Sequence, residues 1–167
     1  MTRGVAAAAV ALMLGACGPT PPPEASETGA AFDPIVFFTG PTHGEARLER
    51  IFKADRAVSV DSVGRPVVGG LLLTQRISVA GDRPRIRKWL LRRIAPGRYA
   101  GSLTDANGPV ETRAIGRAIR IRYPMKSGLQ VEQWLVALPG GRALDNRLTV
   151  TKWGMRVASL HERIERR

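Results

Sequence analysis

The sequence predicts an all-β protein: a single antiparallel barrel of about eight to ten strands, set behind an export signal and a short polar segment. Three observations carry this expectation. Turn signals recur about every eight to twelve residues, and the runs between them are short and rich in β-branched, Leu and aromatic residues. The clearest run also alternates with a strict period of two.

The turn signals are Gly64-Arg65-Pro66, Gly69-Gly70, Gly81-Asp82, Pro96-Gly97, Asn107-Gly108-Pro109, Gly116, Ser127-Gly128 and Pro139-Gly140-Gly141. In 118–125, Ile119, Ile121 and Tyr123 point one way while Arg120 and Arg122 point the other. Segment 130–138 is expected to pair with 142–152 across the Gly-Gly turn, and Asn107-Gly108 to reverse the chain between 98–104 and 110–115. Segment 156–166 is charged enough for a short helix. Ala158, Leu160, Glu162 and Ile164 nevertheless alternate, so it is read as the last strand. The 136 residues from Phe32 to Arg167 suffice for one core and are too few for two. Closing that many strands into a barrel removes exposed edges.

The N-terminus has a different logic. Arg3 is a positive leader, Val5 to Leu14 are all Val, Ala, Leu or Met, and Gly15-Ala16 are small. This is the layout of a secretory signal, and it falls short of the roughly 20 apolar residues a membrane span needs. Leu14-Gly15-Ala16-Cys17 resembles the lipobox of bacterial lipoproteins, which implies cleavage before Cys17 and acylation of that thiol, the only cysteine in the chain. Residues 1–16 are therefore read as the signal, 17–31 as a lipidated, Pro-rich tether and 32–167 as the barrel domain. Gly18 stands where Asp is the inner-membrane retention signal of such lipoproteins. By that resemblance the protein is lipid-anchored facing the periplasm, at the outer rather than the inner membrane.

The chain carries 26 Lys+Arg against 14 Asp+Glu, a formal net charge of +12, and Arg outnumbers Lys 22 to 4. Seven cations and no acid lie in 83–98, and five more with no acid in 113–126. Arg85, Arg87, Arg120 and Arg122 are candidate anion-binding residues for phospholipid heads, lipopolysaccharide phosphates or peptidoglycan carboxylates. Nucleic acid would satisfy the same charge, but an exported, tethered chain does not meet it, so no nucleic-acid partner is expected.

Several short motifs follow one another along the chain from Phe32 onward. They are Phe32-Asp33 with Phe37-Phe38-Thr39-Gly40, Gly81-Asp82 with Arg87-Lys88-Trp89, and Gly97-Arg98-Tyr99-Ala100-Gly101 with Thr104-Asp105-Ala106-Asn107-Gly108. Trp134-Leu135, Asn146-Arg147 and Lys152-Trp153-Gly154 complete the set. In this order they resemble a family of small bacterial lipoproteins catalogued as domain of unknown function 3833. Glu132-Gln133 replace two aspartates of the family pattern, and Arg117 replaces an Asn. The resemblance implies a lipocalin-like β-barrel and no established activity.

Catalytic and metal signatures are missing from the sequence. His43 and His161 belong to no HExxH or Cys/His set, and no G-x-S-x-G or phosphate-cradling Gly motif occurs. His43 falls in Gly40-Pro41-Thr42-His43-Gly44, a turn-like stretch, and Asp145-Asn146-Arg147 is read as fixing a strand end. No metal, cofactor or catalytic residue is therefore expected. The leading functional expectation is a non-enzymatic barrel that binds an apolar or amphiphilic molecule, with Trp89, Tyr99, Tyr123, Trp134 and Trp153 as candidate ligand-lining residues. The alternative is an envelope interaction or structural protein contacting anionic lipid, glycan or a protein partner through a basic face. A carrier requires an internal cavity of about 300 Å³ or more. An interaction protein requires a packed interior with the cations of 83–98 together on one outer face.

Overall fold

The computed structural model describes residues 32–167. The expected signal (1–16) and the expected lipidated tether (17–31) with Cys17 lie outside the described residues. Ten strands follow one another as an antiparallel meander: β1 (Gly40–Arg50), β2 (Lys53–Val67), β3 (Gly70–Val79), β4 (Arg85–Ala95) and β5 (Arg98–Leu103), then β6 (Val110–Ile115), β7 (Ala118–Pro124), β8 (Gln130–Ala137), β9 (Ala143–Lys152) and β10 (Met155–Arg166). Each strand pairs with the next, and β10 pairs with β1, so the sheet is a closed barrel. The expected reversals at Asn107-Gly108 and Gly140-Gly141 join β5 to β6 and β8 to β9, and segment 156–166 is strand, as its alternation predicts.

Alternation builds the core. In β7, Ile119, Ile121 and Tyr123 turn inward, while Arg120 and Arg122 carry the outer face. The main cluster joins these side chains to Leu71, Leu73, Trp89, Leu91, Leu103, Val131, Leu135, Leu144 and Ile164 from the other strands.

One element escapes the sequence reading. Pro34–Phe38 forms α1, a helix of 5 residues with Pro in its first turn and Asp33 as its N-cap, accepting from the Ile35 N–H at 3.0 Å. Phe37 and Phe38 enter the main cluster, and the Phe32 N–H donates to the Gly116 carbonyl. Asp33 also meets Arg93 and the Tyr99 hydroxyl, which ties α1 to β4 and β5. The helix thereby sits at the end of the barrel that carries the β2–β3, β4–β5, β6–β7 and β8–β9 turns.

Two expected turns are strand. Gly64-Arg65-Pro66 lies inside β2, where a Cβ on Gly64 would stand 1.8 Å from the Phe38 carbonyl oxygen. Glycine is there to let α1 approach, not to reverse the chain. Pro66 is tolerated because β1 stops pairing with β2 at Gly64, so its missing N–H breaks no ladder on that side. Residues 40–44 open β1, and His43 is a strand residue whose ring bonds Asp61 Oδ1 at 2.8 Å. Asp145, Asn146 and Arg147 lie in mid-β9 rather than at a strand end.

The opposite end holds two unusual hairpin tips. Phe52, between β1 and β2, has φ 58°, and Trp153 and Gly154, between β9 and β10, have φ 50° and 79°. Left-handed backbone costs a bulky L-residue about 1–2 kcal/mol, and such tips favour Asn and Gly. Among the described residues no helix is long and apolar enough to cross a membrane.

Candidate functional site

The barrel interior is not uniformly apolar. Thr42, Ser62, Gln75 and Arg87 are consecutive cross-strand partners on β1, β2, β3 and β4, and the first three are buried. Thr112, Gln133, Asn146 and Glu162, all buried, add polar side chains from β6, β8, β9 and β10. Gln75, Thr112, Gln133, Asn146 and Glu162 each occupy a core position between apolar residues two places away, as Gln75 does between Leu73 and Ile77, and Glu162 between Leu160 and Ile164. The belt is only partly satisfied. Gln75 Nε2 donates to Ser62 Oγ at 3.2 Å, Arg87 Nε donates to Gln75 Oε1 at 3.0 Å, and Asn146 Nδ2 donates to Glu162 Oε2 at 2.6 Å. Thr42 Oγ1, Trp89 Nε1, Thr112 Oγ1, Gln133 Oε1 and Asn146 Oδ1 are buried without a hydrogen-bond partner among the described residues. Each such group costs on the order of 1–3 kcal/mol.

The belt borders an interior cavity of about 50 Å³. Its polar lining is Gln75, Arg87, Thr112, Gln133 and Glu162, and its apolar lining includes Leu71, Leu73, Leu91, Ile119, Ile121 and Leu135. Pro34 and Phe38 of α1 complete the wall, the only part of it not supplied by strands.

Two ionisable groups face this space. Arg87 stacks against the Trp89 ring at 5.7 Å, and among the described residues no carboxylate lies within 4.0 Å of it. Burial pulls its guanidinium down from the ordinary arginine value. Glu162 is fixed by Asn146 and by Gly44, where a Cβ would stand 2.0 Å from Glu162 Oε1. Burial pushes its carboxyl above the ordinary value of 4.5, against the smaller opposing effect of the Asn146 hydrogen bond. The folded state therefore binds this proton more tightly than the unfolded chain. Glu162 favours folding below pH 4.5 and loses that contribution as pH rises through its folded value. Glu162→Gln is expected to leave stability nearly unchanged in acid and to raise it increasingly above that range. Parallel urea titrations of the two proteins from acid to neutral pH check this, and a constant difference across the range would count against it.

Of the aromatic residues singled out from sequence, Trp89, Tyr99 and Tyr123 point inward and are buried. Trp89 and Tyr123 meet edge to face, 6.0 Å between centroids. Trp89 lines the cavity, and Tyr99 packs where Asp33 and Arg93 meet. Trp134 does not line the interior. It lies on the outer side of β8 with Ala118, Val136 and Ile115, under the Arg120 guanidinium at 5.5 Å, and donates to Glu132 Oε1 at 3.0 Å. Trp153 is exposed at its hairpin tip.

The four candidate anion-binding arginines are also dispersed. Arg87 is interior and Arg85 pairs with Asp105 at 2.6 Å, whereas Arg120 pairs with Glu132 at 2.6 Å and Arg122 with Glu111 at 3.0 Å on the outer wall. The cations of 83–98 do not share one outer face, because Arg85 and Arg87 have the inward parity of Trp89 while Lys88 and Arg92 have the outward one. The outer wall instead aligns Arg98, Arg113 and Arg120 as direct cross-strand neighbours on β5, β6 and β7. With Arg122 they line a surface groove of about 550 Å³. Like charges directly opposite one another destabilise a sheet. Among the described residues no group of three or more His, Cys, Asp and Glu is placed to hold a metal ion.

A closed antiparallel barrel with a partly polar interior and a short helix at one end defines a small lipocalin-like β-barrel. The chain belongs to the family of proteins of unknown function DUF3833, whose model matches residues 11–166. Among solved structures it is similar to the S-type phycobiliprotein lyase CPES from Guillardia theta, with a TM-score of 0.63 and 9% identity over 80% of this chain and 90% of that one. It is also similar to Rv2717c from M. tuberculosis, with a TM-score of 0.56 and 15% identity over 81% of this chain and 99% of that one. At these identities the likeness establishes the fold alone. No curated protein matches the sequence significantly.

Proposed function

We propose that this protein is a lipid-anchored lipoprotein of the bacterial envelope, facing the periplasm, whose barrel holds one small acidic amphiphile without catalysing a reaction on it. The carrying observation is the incomplete polar belt. A barrel acting only as a scaffold is best served by an apolar filling. This one draws a half-buried Arg87 inward with no carboxylate within 4.0 Å among the described residues, and leaves Trp89 Nε1, Thr112 Oγ1 and Gln133 Oε1 without partners among those residues around a common cavity. An acid head group facing Arg87 can accept from Trp89 Nε1 and Thr112 Oγ1, with its apolar body against Leu71, Leu91, Ile119 and Leu135. The cavity of about 50 Å³ falls short of the roughly 300 Å³ expected of a carrier, so an amphiphile as long as dodecanoate enters only by displacing Pro34 and Phe38. Location rests on Leu14-Gly15-Ala16-Cys17, with Gly18 favouring the outer membrane.

Native mass spectrometry of the Cys17→Ser chain purified from the periplasm, then titrated with dodecanoate and with dodecanol, tests this reading. A stoichiometric acidic adduct, or saturable binding of dodecanoate tighter than of dodecanol, is the expected result. A clean apo mass with neither compound binding would overturn the carrier. It would leave the second reading, an interaction protein, for which the aligned Arg98, Arg113 and Arg120 are the supporting observation. The same Cys17→Ser change is expected to release the protein into the soluble periplasm, and membrane fractionation that persists in high salt would count against the anchor.

A further inference from the structure

The two hairpin tips at the end opposite α1 stand apart from the interior site. Phe52 is 102% exposed, Trp153 84%, Met155 62% and Ile51 47%. The tips are neighbours: β1 pairs with β10, Arg50 stands opposite Ala158, and the Ile51 N–H donates to the Val157 carbonyl at 3.1 Å. Two large aromatic side chains thus protrude from adjacent turns at one end of the barrel, with Ile51 and Met155 beside them.

Neither aromatic suits its local backbone. Trp153 and Gly154 both take left-handed conformations between paired Lys152 and Met155, so Trp153 occupies the place where Asn or Asp is favoured in such a turn. Phe52 takes a left-handed conformation that Gly adopts without strain. A folded barrel gains nothing from this choice, because neither side chain is buried. A bulky residue held in a disfavoured conformation at an exposed tip points to a use outside the fold.

The chemistry around the tips identifies the partner. Lys53 flanks Phe52, Lys152 and Arg156 flank Trp153 and Met155, and no acid occurs in 50–54 or 152–156. Lys152 Nζ lies 4.6 Å from the centre of the Trp153 ring. Aromatic rings at the front with cations just behind them match the water–bilayer interface, where rings settle at head-group depth and cations meet lipid phosphates. We propose that the Phe52 and Trp153 hairpin tips form a wedge that inserts into the interface of an anionic phospholipid bilayer. The wedge is independent of the interior ligand and of acylation at Cys17.

The test uses the chain carrying Cys17→Ser from residue 17 onward, so that no acyl chain contributes. It is mixed with vesicles of phosphatidylethanolamine and phosphatidylglycerol, and in parallel with phosphatidylcholine vesicles. The expected result is co-sedimentation with the anionic vesicles and a blue shift of tryptophan emission. Phe52→Gly combined with Trp153→Asn should weaken that binding by about tenfold or more. Both replacements suit their turns better than the native residues, so the double variant should melt no lower than its parent, and lost binding then reads the wedge rather than the fold. Absence of vesicle binding by the parent at low salt would overturn the proposal. So would undiminished binding by the double variant, or a parent that ignores vesicles but retains a protein partner through these tips.

Discussion

Arg87→Met is expected to yield a protein more stable than the parent and nearly devoid of affinity for acidic amphiphiles. The two effects have one cause. Within the barrel Arg87 is half-buried, with one hydrogen bond to Gln75 Oε1 and a contact with the Trp89 ring, and the more distant Asp105 and Glu162 carboxylates offset its desolvation only in part. Replacing a buried ionic group by an apolar side chain of similar volume commonly stabilises by about 1–4 kcal/mol. Here the gain should fall at the low end, because Gln75 Oε1 loses its donor. In the loaded barrel the balance reverses, since the ligand anion loses its only facing cation. Truncating one partner of a buried charge pair costs about 2–5 kcal/mol, so dodecanoate affinity should fall by roughly hundredfold or more. Dodecanol affinity should be unchanged or improved. Thermal melts with and without ligand, beside calorimetric titration of acid and alcohol, check both halves. A variant that melts lower than the parent and binds dodecanoate equally well would show that Arg87 is a structural residue.

Gly64→Ala is expected to undock α1. An added methyl at this strand position would stand 1.8 Å from the Phe38 oxygen and 2.8 Å from its carbonyl carbon. That neighbour is backbone, so no rotamer change relieves the clash, and either α1 or β2 must move. Overpacking of this kind costs about 1–3 kcal/mol and sometimes more. Because Pro34 and Phe38 form part of the cavity wall, the displacement should also open the interior to solvent. The variant should therefore bind a fluorescent apolar probe that the parent excludes. Gly69→Ala serves as the control: Gly69 has φ 71° with nothing within 4 Å, so its loss should strain the turn by about 1 kcal/mol and leave α1 in place. Equal probe uptake in the two variants would mean that α1 does not close the cavity.

Much of the barrel was legible in the sequence because strand alternation is a local property. Ile119, Ile121 and Tyr123 against Arg120 and Arg122 needed no partner to be read, and neither did the Gly-Gly turn between β8 and β9. Gly64-Arg65-Pro66 was misread because composition cannot distinguish a glycine that reverses the chain from one that admits a helix. α1 was invisible because five residues carry too little periodicity to register. The polar belt left a trace that alternation contains but composition hides: Gln75, Gln133, Asn146 and Glu162 each interrupt an apolar row at a spacing of two. Trp134 gave no such clue, since its neighbours on both parities, Leu135 and Val136, are apolar.

By itself the sequence determined an all-β chain, most of its turns and the register of its strongest strands, all consequences of periodicity and short motifs. Only the tertiary structure decided which face of each strand became interior. That choice depends on closure: joining β10 to β1 turns one parity of every strand toward a common axis. Closure brought Arg87 to the same cavity as Glu162, 75 residues later in the chain, and set Arg85 and Arg87 apart from Arg120 and Arg122. It also left Phe52 and Trp153 on adjacent tips, a proximity that no local pattern carries because it arises between the first hairpin and the last.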